Sequence, residues 1–176
     1  MEEQAAAAGI TLWSVPLPSP CSNAEYEETM RAVIGRARQE GISHMAFGGL
    51  FLEDVREYRT HMLAGTPIEP IFPVWCDPLA TPALARTMLR EGVRAVLTCV
   101  DPKQLSEGFV GHFYDEALLA DLPDTVDPCG ERGEFHTFCF AGPMFSHEIK
   151  IETGDSVSRD GFRFIDVAPV RSGDSD

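Results

Sequence analysis

Between residues 127 and 145 the chain reads DPCGERGEFHTFCFAGPMF, with two carboxylates, Glu131 and Glu134, and an imidazole, His136, set between glycines and an aromatic run. Gly130 and Gly133 put no side chain in the way, so the backbone folds tightly and both carboxylates project into one space. Such a pair binds an ammonium group, holds a magnesium ion, or divides into an acid and a base through unequal pKa values. His136 adds a proton relay. The alternative without chemistry is a solvated acidic turn leading into a strand, with His136 facing water and Phe135, Phe138 and Phe140 as core or pocket wall. On the chemical reading, Glu134→Gln lowers activity by roughly 100-fold or more, the scale of an acid–base group, and hardly changes the melting temperature, because a repulsive charge leaves a loop.

The elements that must position these residues are legible in periodicity. Residues 5–8, all alanine, read as the end of a helix with Gly9 as its stop. ITLWSV (10–15) predicts a strand. Ser22 and Glu25 have capping-box spacing and open a helix that stops at Gly41. ISHMAF (42–47) predicts a buried strand, Gly48-Gly49 a tight turn, residues 52–64 an amphipathic helix ending at Gly65, and IEPIFPVW (68–75) a third strand. Thr81-Pro82 starts another helix with proline at the first position, where its missing N–H costs nothing, and VRAVLTCV (93–100) follows as a fully apolar strand.

Strands alternating with helices predict an α/β fold with these four strands parallel in one sheet. From about residue 102 the rhythm breaks, which predicts an incomplete α/β domain over 1–101, a smaller α+β substrate subdomain over 102–170, and a disordered tail, 171–176. The smaller part contains a short helix (115–122), the quoted stretch and two strands (148–152, 163–167). In an open parallel sheet, ligands bind at the carboxyl ends of the strands. Those ends place Asn23 and Trp75 on a substrate and Gly48 and Gly49 beside a nucleotide. A plain βα turn is the simpler alternative for the two glycines.

Composition bounds the partners. The net charge of −14 over 176 residues repels phosphate backbones, and the basic residues do not cluster, so a nucleic-acid partner is excluded. No apolar run approaches the roughly 18 residues of a membrane span, and the acidic N-terminus is unlike a signal peptide, which predicts a cytoplasmic protein. The five cysteines form no CxxC pair and read as reduced thiols, mostly in the core. Cys129, His136 and Cys139 have no regular ligand spacing, so no metal site is assigned.

Taken in order, AFGGLFLEDVREYR, PVWCDP, GHFYDEALLADL and GERGEFHTFCFAGPMF make the chain resemble the diphthine–ammonia ligase family from about residue 9 to 168. These are N-type PP-loop ATP pyrophosphatases of the adenine nucleotide alpha-hydrolase superfamily, and GE-x-GEF-x-TF is the most specific part of the match. The resemblance implies a HUP-type (Rossmann-like) parallel sheet with a C-terminal subdomain facing an ATP cleft. It also implies ATP and Mg2+, a small-molecule or protein carboxylate substrate, and ammonia. In that chemistry ATP adenylates the carboxylate, pyrophosphate leaves, and ammonia displaces AMP to give an amide. Glu131 and Glu134 would line the substrate side of that cleft, with His136 beside them and Gly48 near the nucleotide.

The family's SGGKDS-type phosphate loop does not occur in the sequence. The expectation is therefore an N-terminally truncated chain, resembling the last two-thirds of the protein, with an exposed sheet edge that permits a homodimer. Gly49 and Ala141 also stand where the family often carries acids. A non-catalytic binding protein and a nucleotide hydrolase remain as alternatives to the ligase.

Overall fold

The computed structural model describes residues 1–18 and 20–170; the tail expected to be disordered, 171–176, lies outside them. Along the chain run α1 (Glu2–Ala7), α2 (Asn23–Gln39), β1 (His44–Ala46), α3 (Glu53–Leu63), β2 (Glu69–Ile71), α4 (Thr81–Arg90), β3 (Arg94–Val100), α5 (Glu116–Asp121), β4 (Phe135–Ala141), β5 (Ile151–Arg159) and β6 (Phe162–Pro169). The chain divides into two compact units, residues 13–78 and residues 1–12 together with the chain from 79 onward. The expected boundary at residue 101 thus falls inside the second unit.

In the unit of residues 13–78, β1 and β2 pair in parallel, His44 opposite Glu69 and Ala46 opposite Ile71. The capping box predicted for α2 is present: the Glu25 N–H donates to Ser22 Oγ at 3.3 Å and the Ser22 N–H to Glu25 Oε2 at 2.9 Å. Glu25 is held below the usual carboxylate range by the Ser22 hydroxyl and then by the Ser22 N–H. Ile34 and Ala37 of α2 meet Leu63 of α3 and Ile68 in one buried cluster, with Trp13, Met45 and Phe47 packed against it. Residues 10–15 form no strand. Without a neighbouring strand to complete a ladder, an alternating apolar pattern has nothing to hold it extended, and Ile10 stays 66% exposed.

The other unit is built on a four-stranded sheet in the order β4-β3-β6-β5, with every pairing antiparallel. This corrects the expectation of four parallel strands, since β3 belongs to this sheet and, among the described residues, the parallel pairing is confined to β1 and β2. Burial of both faces of β3 explains the misreading. Ala95, Leu97 and Val100 join Ala85 of α4, Tyr114, Leu118 of α5 and Phe135 in one cluster. Val96 joins Ala7 of α1, Phe140 and Ile149 in another. A strand covered on both sides reads as a continuous apolar run whichever way its neighbours point. A register shift between Leu97 and Cys99 changes the alternation and lets Val100 share a cluster with Leu97. Leu97 is fully buried, which stabilises the fold by roughly 1.5–3 kcal/mol relative to exposure. Helix α1 docks in this unit, where Gln4 Nε2 donates to the Cys139 carbonyl at 2.8 Å. Strands β5 and β6 form a hairpin whose turn residues, Asp160 (φ 52°) and Gly161 (φ 83°), are both left-handed, as a two-residue type I′ turn requires.

Candidate functional site

The loop before β4 is organised by two carboxylates, Asp127 and Glu134, which are 4% and 1% exposed. Glu134 Oε1 accepts the Asp127 N–H and Oε2 accepts the Arg132 N–H, each at 2.9 Å. Asp127 Oδ2 in turn accepts the Glu131 N–H at 2.9 Å. The Glu134 carbonyl accepts the Asp101 N–H at 2.9 Å, fastening the loop to the end of β3. The Arg132 guanidinium lies 3.9 Å from Glu134 Oε1 and is half exposed, so the backbone N–H groups are the chief partners of the buried charge.

Glycine is required at the apex. Gly130 has φ +69°, and a Cβ there would come 2.9 Å from the Phe135 carbonyl oxygen. The loop's other flank is tied by Tyr114, whose O–H donates to the Pro128 carbonyl at 2.6 Å. Burial, reinforced by the neighbouring Cys129 thiol and Asp127, pushes the Tyr114 phenol well above the usual tyrosine range.

These contacts separate residues that the sequence grouped together. Glu134 turns inward with both oxygens occupied, whereas Glu131 is half-buried and His136 is exposed on β4, opposite Cys99. Asp127, the second latch, was not singled out from sequence; the signal available was an Asp-Pro pair before a glycine turn, where an Asp side chain caps nearby N–H groups. Asp101 directly follows β3. Its carboxylate accepts the Gln104 amide at 2.9 Å and the Lys103 N–H at 3.0 Å, and in that order these hold it below the usual carboxylate range. His136 and Cys139 are three residues apart on one strand and so point to opposite faces. Among the described residues no group of three or more His, Cys, Asp and Glu side chains gathers as a metal ion would need.

The remaining sequence-predicted residues lie in the unit of residues 13–78. Asn23 is the first residue of α2 and is exposed. Gly48 and Gly49 follow β1; Gly48 is not in left-handed backbone, and an added Cβ there would meet nothing within 4 Å. Trp75 belongs to a stack that the sequence did not disclose beyond its individual aromatics. Phe47, just after β1, stacks on Phe72, just after β2, at 5.5 Å between centroids, and Phe72 meets Trp75 edge-on at 5.9 Å. The Arg56 guanidinium of α3 sits 4.6 Å from the Trp75 ring, and that of Arg59 sits 5.6 Å from Phe47 and donates to Tyr26 Oη at 2.6 Å. Aromatic faces flanked by guanidinium groups at the carboxyl ends of parallel strands suit a planar ring bearing negative charge.

No helix among the described residues is long and apolar enough to cross a membrane. Residues 81–168, half of the chain, match the model of a family described as the diphthamide synthase C-terminal domain. The matched segment opens at the first residue of α4 and closes in β6, so it includes the latched loop and nearly all of the antiparallel sheet. No protein of curated function matches the chain.

Proposed function

The chain belongs to the diphthamide synthase C-terminal domain family, and from that premise we propose that it supplies the acceptor and ammonia side of an ATP-dependent diphthine–ammonia ligase. The observation that carries this reading is the buried Asp127–Glu134 latch, which fixes the loop bearing Glu131 next to the strand bearing His136. In this reading Glu134 is a positioning residue, Gly130 and Gly133 shape the loop, and Glu131 and His136 handle protons. Glu131 takes one proton from ammonium to leave ammonia, and His136 takes the second proton released as that nitrogen bonds to the acyl carbon and AMP departs with the electrons of the broken C–O bond.

ATP, when bound, supplies activation of the acceptor carboxylate. The Phe47–Phe72–Trp75 stack with Arg56 fits an adenine ring and part of the phosphate charge. Gly48 leaves open space beside β1. Mg2+ has no cage of side chains among the described residues.

The test is to incubate the protein with ATP, Mg2+, ammonium and an elongation factor carrying diphthine, measuring AMP and conversion of carboxyl to amide by mass spectrometry. Ammonium-dependent AMP release with amide formation is expected. Folded protein that yields neither sinks the proposal. The burial of Glu134 favours a second reading, binding of an amine or nucleotide without turnover, since it withdraws one of the two expected carboxylates from solvent.

A further inference from the structure

The unit of residues 13–78 contains a groove of about 590 Å³ between α2 and α3, in the range of small-molecule sites. Its floor is apolar, with Ile34 from α2 and Met62 from α3, and the Tyr58 ring forms part of one wall. Gly35 lies in the middle of α2, where glycine disfavours a helix relative to alanine. Close packing does not demand it, because a Cβ built there would meet nothing within 4 Å. The missing side chain therefore deepens the groove.

Charge identifies the occupant. The whole chain has 28 acidic and 14 basic residues, yet this groove is lined by Arg31, Arg38 and His61 against one acid, Glu27. Glu27 and Arg31 pair with each other at 3.6 Å. The Arg38 guanidinium and the His61 ring, on facing walls, have no side-chain partner among the described residues. An apolar floor under two unpaired groups, one always cationic, recognises an anion with an apolar body.

We propose that the α2–α3 groove binds a small organic carboxylate with an apolar body, the carboxylate on Arg38 and His61 and the chain over Ile34 and Gly35. This goes beyond the ligase reading and does not depend on it, since none of these residues belongs to the latched loop or the aromatic stack. The test uses octanoate as the probe, with octanol and octylamine as neutral and cationic counterparts, by ligand-observed NMR and calorimetry on the whole chain. Octanoate is expected to bind with a Kd at or below about 1 mM, and the other two at least tenfold more weakly. Arg38→Gln should weaken octanoate roughly tenfold. Gly35→Leu should abolish binding by filling the floor while the melting temperature holds or rises, since leucine favours the helix.

Equal binding of octylamine, octanoate affinity unchanged in folded Gly35→Leu, or no octanoate binding at about 10 mM would each overturn the proposal. Binding to vesicles of anionic phospholipid but not to free octanoate would overturn it in favour of a membrane surface.

Discussion

The Glu134 carboxylate accepts the backbone N–H of Asp127 at 2.9 Å inside the protein, seven residues back along its own loop. Two acids in one glycine-rich loop suggested mutual repulsion, and with it a harmless neutralisation. The geometry reverses that inference. Glu134→Gln replaces one accepting oxygen with an NH2 group that faces an N–H donor in a buried site. The expected loss is about 1–3 kcal/mol, the scale of an unpaired buried donor. It should appear as a lower denaturant midpoint at unchanged slope. A midpoint equal to wild type would mean that the carboxylate does not hold the loop.

The two glycines of that loop should differ in what they tolerate. Gly133 has φ +80° and open space around an added Cβ, so Gly133→Ala carries only the left-handed penalty of about 1–2 kcal/mol. Gly130→Ala adds a contact of 2.9 Å with the Phe135 carbonyl, a backbone atom that cannot swing away. Thermal melts should rank Gly130→Ala clearly below Gly133→Ala, and the opposite order would contradict the loop geometry.

The separation of roles within the loop predicts a separation of effects. If Glu131 handles ammonium, Glu131→Gln should lower amide formation by roughly 100-fold, the usual scale for an acid–base group. Its melting temperature should stay near wild type, because its side chain is only half-buried. Activity within about twofold of wild type would remove Glu131 from the reaction on that scale.

Local signals were read well from the sequence and long-range pairing was not. The Ser22–Glu25 box and the Thr81-Pro82 start placed α2 and α4 to within a residue, because a cap is decided by atoms three positions apart. The run 93–100 was correctly read as a buried strand, but its direction relative to its neighbours is decided by β4 and β6, which lie far along the chain. ITLWSV has strand composition and no partner, and composition alone does not supply a ladder. At the site, the glycines and acids of 130–134 were visible, whereas the buried state of Glu134 was not. Which of two nearby glutamates turns inward depends on where the N–H groups of Asp127 and Arg132 point, and neither charge nor spacing encodes that.

Tyr114 gives a prediction in pH. Its ring is 6% exposed, and its O–H bond to the Pro128 carbonyl stabilises the loop by about 0.5–1.5 kcal/mol at neutral pH, which Tyr114→Phe should lose. Burial raises its pKa in the folded chain, so the native state keeps the phenolic proton where the unfolded chain, with an ordinary value near 10, gives it up. Protons bound more tightly by the folded state mean stability that is complete below the unfolded pKa and declines as pH rises toward the folded one. Above pH ~10 the wild type should lose stability relative to Tyr114→Phe at up to about 1.4 kcal/mol per pH unit. The two denaturation midpoints should therefore converge and cross within roughly one to two pH units of that point. Tyr26 and Tyr58 contribute phenolate absorbance in both proteins, and the variant should lack only the third tyrosine's share, which the wild type should develop on alkaline unfolding. A stability gap that stays constant from pH 7 to 11 would show that Tyr114 ionises as readily in the fold as out of it, and that the loop is not buried against it.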